Sequence, residues 1–168
     1  LGMAPFRFLY FDIETVAERY NESKSREGKY PIGCIVSLDE KGKSTTHVLL
    51  DPKHTPATPE SCDVTLYFND DVTLVRDWKQ RLYDDADVVV GYDSDRFDVP
   101  YLSTRIPSLC SDIWHNTHTR DWIVRSPLKL FVDLHKAAKK DVTLRPLDYK
   151  LSTIAMDFEL GSKDDLPY

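Results

Sequence analysis

The sequence predicts one α/β domain, and three observations predict it. Phe6-Arg7-Phe8-Leu9-Tyr10 is an apolar stretch that ends in Phe11-Asp12-Ile13-Glu14-Thr15. Two further β-type segments follow, separated by turn residues. Later a helical stripe gives way to the short buried run Asp87–Gly91 and to further helix-like segments. Strands first, then helix, strand and helices, is the α/β order. A chain of 168 residues is long enough to bury a real core. Its hydrophobic fraction of 41% and charged fraction of 30% are ordinary for a water-exposed globular domain.

Residues 6–11 read as a central strand, apolar on both faces as a helix-covered sheet requires. Residues 18–30 are polar and read as a loop. Gly33–Leu38 and Thr45–Leu50 read as two strands, with Asp39-Glu40-Lys41-Gly42-Lys43 turning between them. Asp51–Pro59 holds Pro52, Pro56 and Pro59 and reads as a loop. Val64–Phe68 is a further strand. Asn69 or Asp70 then caps a helix whose buried stripe is Val72, Val75, Trp78 and Leu82. Residues 103–128 carry no clear period; Trp114 and Trp122 read as packing residues. Val132–Lys140 reads as a helix. Leu147, Leu151, Ile154 and Phe158 form a last helical stripe, with Pro146 placed for its first turn. There is no internal repeat, low-complexity tract or domain boundary.

The longest apolar runs are only a few residues, far short of a membrane-spanning helix. The first residues lack a basic segment followed by an apolar one, so no secretory signal is expected. Cys34, Cys62 and Cys110 are odd in number and form no Cys-x2-Cys pair, which suggests neither zinc nor a disulfide framework. A reducing, intracellular compartment, cytoplasmic or nuclear, is the expectation. His115 and His118 are three apart, but no further ligand type lies near them. A formal net charge of −6 argues against binding duplex by charge alone. Acids dominate from Glu60 to Asp98. Arg120, Arg125, Lys129, Lys136, Lys139, Lys140, Arg145 and Lys150 make the next stretch basic. That stretch could face a nucleic-acid backbone, but the spacing of Lys136, Lys139 and Lys140 favours a solvated helix face.

Asp12 and Glu14 are the first candidates for chemistry. Residues i and i+2 of a strand share a face, so the two carboxylates project together. Their repulsion and desolvation are unfavourable unless a divalent cation joins them, or unless the strand ends in a solvated turn. A second segment shifts the balance toward the cation. Gly91-Tyr92-Asp93-Ser94-Asp95-Arg96-Phe97-Asp98-Val99-Pro100-Tyr101-Leu102, together with Asp12-Ile13-Glu14, resembles the first two exonuclease motifs of the B-family DNA polymerases. In that family the first motif reads Asp-Ile-Glu. The second reads Gly-Tyr-Asn, three variable residues, then Phe-Asp-x-Pro-Tyr-Leu. Leu147–Ala155, running on to Lys163–Tyr168, is similar to the helix and linker that follow in those polymerases. The resemblance covers nearly the whole chain.

The resemblance implies a ribonuclease H-like mixed sheet flanked by helices. It also implies a 3′–5′ exonuclease (proofreading) activity on a single-stranded DNA 3′ end, with the rest of a DNA polymerase as partner and no membrane. Asp12, Glu14 and Asp98 are the implied catalytic and metal-binding residues, for two Mg²⁺ or Mn²⁺ ions, which in such sites stand about 3.5–4 Å apart. Thr15, Asp93 and Phe97 are candidate substrate contacts. Each also has a plainer reading: a turn cap, a solvated acid and a core aromatic. Tyr101 and Leu102 are read as core. Two departures qualify the match. The family's Asn is Asp93 here, and the third motif, Tyr-x3-Asp, has no counterpart after Leu102. Residues 3–168 therefore read as an exonuclease-like domain without that motif, with one metal weakly held and activity impaired. The alternative is a non-catalytic ribonuclease H-like scaffold or single-strand-binding module of a polymerase.

Overall fold

A computed structural model of the chain describes residues 5–16, 27–50, 62–118, 121–141, 143–144 and 146–158. Among these, eight strands form two sheets. The main sheet has six strands in the order β4-β3-β2-β1-β5-β8. They are β1 (Phe8–Thr15), β2 (Ile32–Asp39), β3 (Ser44–Leu49), β4 (Val64–Phe68), β5 (Val88–Gly91) and β8 (Leu130–Asp133). β1, β2 and β3 form an antiparallel meander, while β5 and β8 lie parallel to β1 and to each other. β4 adds a parallel strand to the far edge of β3. β6 (Asp112–Asn116) and β7 (Asp121–Arg125) form a separate antiparallel hairpin. The helices are α1 (Asp71–Trp78), which continues as a wider turn through Lys79–Tyr83, α2 (Asp98–Ser103), α3 (Leu134–Lys140) and α4 (Leu151–Asp157). This mixed sheet with flanking helices is the ribonuclease H-like arrangement that the motifs implied.

The core lies on one face of the meander. Leu9, Phe11 and Ile13 of β1 and Ile35 of β2 pack there against Leu74, Val75 and Trp78 of α1 and Val99 and Leu102 of α2. The Trp78 ring lies 5.5 Å from Phe11, and its indole N–H donates to Ser37 at 3.0 Å. A buried indole with its one donor satisfied gains apolar burial without stranding a polar group. Asp70 caps α1, its carboxylate accepting the Thr73 amide at 2.7 Å, which satisfies one of the donors left over at a helix start.

Several expectations change. β1 is not apolar on both faces and does not stop at Phe11. It runs through Thr15 with Leu9, Phe11 and Ile13 buried and Tyr10, Asp12 and Glu14 exposed. The acidic motif therefore lies within the strand. In α1, Leu74 replaces Val72 in the buried stripe, and Val72 faces solvent. Val132 belongs to β8, and the helix expected from it starts only at Leu134. Pro146 precedes α4 by several residues, and of its expected stripe only Ile154 is buried; Leu147 is fully exposed. Residues 103–128, unassigned from sequence, hold a short 3₁₀ turn (Pro107–Leu109) and the β6–β7 hairpin. Much of the expected loop at 18–30 and all of the loop at 51–59 lie outside the described residues.

Candidate active site

The site forms where the parallel ladder between β1 and β5 runs out. Phe8, Leu9 and Tyr10 pair with Val88, Val89 and Val90. Beyond them β5 ends at Gly91 and the chain turns away. The Asp98 side chain then takes over the edge of β1, its Oδ1 accepting the Ile13 amide at 3.3 Å. Asp98 thus stands beside the strand that carries Asp12 and Glu14, with the Ile13 amide between those two residues in sequence.

Asp98 is 4% exposed. Burial is the main cause that pushes its carboxyl up from 3.8 to about 8, and the charge of Asp12 adds to the rise. The Ile13 and Asp98 amides oppose it, and Asp93 contributes a further, smaller rise. A buried carboxyl facing another carboxylate is held largely protonated near neutral pH. Oxygen donors of this kind suit a hard divalent cation, whose charge would reverse the repulsion. Asp12 and Asp98 thus fit a metal electrostatically. Among the described residues, however, no three His, Cys, Asp or Glu side chains converge as a ready-made metal site. His115 and His118 are exposed on the hairpin.

The loop from Tyr92 to Phe97 is built to deliver Asp98. A Cβ on Gly91 would lie 2.5 Å from the Ser94 Cβ and 2.7 Å from its hydroxyl, so the fold-back requires glycine. Asp93 has φ 58. Asp and Asn are the side-chain-bearing residues that most readily accept this left-handed conformation, so the exchange of the family's Asn for Asp keeps the backbone. The Asp93 amide donates to Asp133 Oδ1 at 2.9 Å and the Asp95 amide to Asp133 Oδ2 at 3.3 Å. Asp133, at the end of β8, also caps α3 by accepting the His135 amide at 2.9 Å. Asp95 is paired with the Lys136 ammonium at 2.6 Å, and the same ammonium donates to the Trp122 carbonyl on the hairpin.

The model for the exonuclease domain of DNA polymerase family B matches residues 2–154. The chain belongs to this family. No curated protein matches it. For a member of this exonuclease family, the placement of the candidate residues is informative. Asp12 and Glu14 share the exposed face of β1, and Asp98 closes on the strand from the side. Thr15 sits at a register shift that follows Glu14, half-buried. Phe97 is 37% exposed with its ring 5.3 Å from Tyr101, so one side of it meets solvent. The Asp93 side chain turns toward His135, 3.2 Å from Nδ1. Tyr101 and Leu102 are core, and the Tyr101 hydroxyl donates to the Tyr30 carbonyl at 2.8 Å.

The basic stretch is divided in use. Lys129 donates to the carbonyls of Asp84 and Ala86, and Arg125 lies over Trp114, 4.6 Å from the ring centre. Lys136 is not a solvated helix residue, since it neutralises Asp95. Arg120 and Arg145 lie outside the described residues. Sequence reading missed Asp133 and Lys136. An Asp ahead of a helix signals a cap, but no local pattern reveals that its carboxylate also holds a loop forty residues earlier.

Proposed function

We propose that this chain is a 3′–5′ exonuclease module acting on the 3′ end of single-stranded DNA within a B-family polymerase. The observation that carries this reading is the buried Asp98 carboxyl bound to the Ile13 amide, on the strand that carries Asp12 and Glu14. Asp12, Glu14 and Asp98 would hold Mg²⁺ or Mn²⁺, two ions by resemblance to the family. Bound there, the metal would lower the pKa of water and stabilise a leaving 3′ oxygen. The chain's own residues orient and neutralise. The Ile13 amide fixes Asp98, and the Asp133–Asp93–Asp95 bonds fix the loop that carries it. Thr15 ends β1, and Phe97 directly precedes Asp98 in the chain. Phe97 would stack on a terminal base, since every base offers a π face and proofreading must tolerate all four. Asp93 would contact the strand as well. Acting on DNA, the protein would work in the cytoplasm or nucleus.

A second reading, a non-catalytic ribonuclease H-like scaffold or single-strand-binding module, is favoured by the lack of three convergent ligands among the described residues. Incubation of a 5′-labelled single-stranded DNA with the chain in Mg²⁺ or Mn²⁺ separates the two. Stepwise shortening from the 3′ end that Asp12→Ala abolishes supports the nuclease. An intact oligonucleotide in both metals supports the scaffold.

A further inference from the structure

We infer that a groove beside the site, between the second motif and the segment ahead of α4, is a subsite for the body of a single-stranded nucleic acid. This rests on the function proposed above and extends it from the reacting end to the strand behind it.

The groove has a volume of about 630 Å³ and is lined by residues from three places. Tyr92, Asp93 and Arg96 come from the second motif, His135 and Lys139 from α3, and Asp148–Leu151 from the segment leading into α4. β1, β5 and β8 are parallel, so the C-terminal ends of all three lie at one edge of the sheet. Asp12 lies toward that end of β1, Tyr92 follows β5, and α3 follows β8. The groove and the carboxylates therefore share an edge, and Asp93 links them: its carboxylate lines the groove, and its charge acts on Asp98.

The third wall is held in place by the motif itself, because the Tyr92 hydroxyl donates to the Tyr149 carbonyl. Asp148 is fixed too, accepting the Thr153 hydroxyl at 2.6 Å and the Lys150 amide at 3.1 Å.

Charge and rings point to the ligand. The two acids of the groove are engaged: Asp93 faces His135 at 3.2 Å, and Asp148 faces the Lys150 ammonium at 3.4 Å. Arg96 and Lys139 form no ion pair among the described residues, and Lys139 lies 5.9 Å from the Tyr149 ring centre. Uncompensated cations beside aromatic rings suit a phosphodiester strand, which offers a charge and a stackable base at every step. An acidic peptide would use the cations and leave the rings idle. The contact is local and does not depend on net charge, which at −6 repels a strand elsewhere.

Binding of fluorescent oligothymidylate, followed by anisotropy in EDTA across a salt series, tests this without metal or cleavage. For single strands, each phosphate contact contributes about 0.7 to the slope of log K against log salt. The double variant Arg96→Ala/Lys139→Ala is expected to weaken binding at least about fivefold at low salt and to flatten the slope by about 1.4. Lys41→Ala/Lys43→Ala, an equal charge change in the turn between β2 and β3, should leave both unchanged. Tyr149→Leu should weaken binding about fivefold with the slope intact, as loss of stacking requires. Thermal melts of each variant exclude unfolding as the cause. Oligouridylate in the same assay shows whether the groove accepts RNA as well as DNA.

Equal effects of the two double variants, an unchanged Tyr149→Leu, equal displacement of the strand by polyglutamate, or no binding in EDTA would each overturn the subsite. A strand that binds through the groove but is never shortened would overturn the nuclease reading and leave the subsite standing. Shortening without any groove effect would do the reverse.

Discussion

Asp95, in the loop, and Asp98, the first residue of α2, lie three residues apart, and both are buried, at 8% and 4% exposure. Burial raises the pKa of each. Their surroundings then diverge. Asp95 meets the Lys136 ammonium at 2.6 Å, which works against the rise. The side-chain charges acting on Asp98 are those of Asp12 and Asp93, both negative, and amide donors alone oppose them. A buried charge is tolerated when it is paired. Asp95 is paired by the chain itself and serves the fold, fixing α3 to the loop. Asp98 is buried under the influence of a like charge, which is unfavourable for folding and favourable for receiving a cation. Stability is spent where the proposed chemistry needs it.

Breaking the paired side should have the largest effect. Lys136→Met leaves Asp95 without its cation and should destabilise the chain by about 3–5 kcal/mol in denaturant titrations. Adding Asp95→Asn should recover most of that loss. A Lys136→Met protein as stable as the parent would mean that Asp95 and Asp98 do not differ in the way described.

The unpaired side should appear in the pH dependence. Folding moves the Asp98 carboxyl from 3.8 to about 8, so between those values the folded chain keeps a proton that the unfolded chain has released. This contribution is fully present below about pH 4 and is lost as pH rises through about 8, at up to about 1.4 kcal/mol per pH unit. Asp98→Asn should flatten that part of the metal-free stability profile and leave the variant more stable than the parent near pH 8. A profile that stays the same in the variant would remove Asp98 as its source.

A smaller effect sharpens the same contrast. Gly91→Ala forces a Cβ against Ser94 and should cost about 1–3 kcal/mol, because the backbone must shift. That shift should weaken cleavage or metal binding more than the stability loss alone accounts for, since the loop carries Asp98. Thermal melts beside metal titrations would separate the two effects.

The contrast was only half legible in the sequence. Asp12, Glu14 and Asp98 stood out because the motifs are local and ordered, and strand alternation placed the first two on one face. β2, β3, β4 and the Asp70 cap followed from turn residues and from period. β8 did not, because Leu130-Phe131-Val132 is a short apolar run, and periodicity cannot tell such a run from buried helix. The α4 stripe misled for a different reason. Helical spacing shows which residues share a face, but not whether a partner covers it, and Leu147, Leu151 and Phe158 are exposed. Lys136 read as a surface lysine because its partner, Asp95, is far away in sequence. The pairing of Asp95 with Lys136, and of the loop amides with Asp133, is tertiary information.

As proposed above, Asp98 and Asp12 would together receive a divalent cation. Calorimetric titration with Mn²⁺ near neutral pH, repeated in buffers of different ionisation enthalpy, tests it most directly. Binding should come with proton release, because the Asp98 carboxyl must give up its proton to become a ligand. Binding should be lost in Asp12→Ala, and proton release lost in Asp98→Asn. No Mn²⁺ binding, or binding with the same heat in every buffer and in both variants, would contradict it.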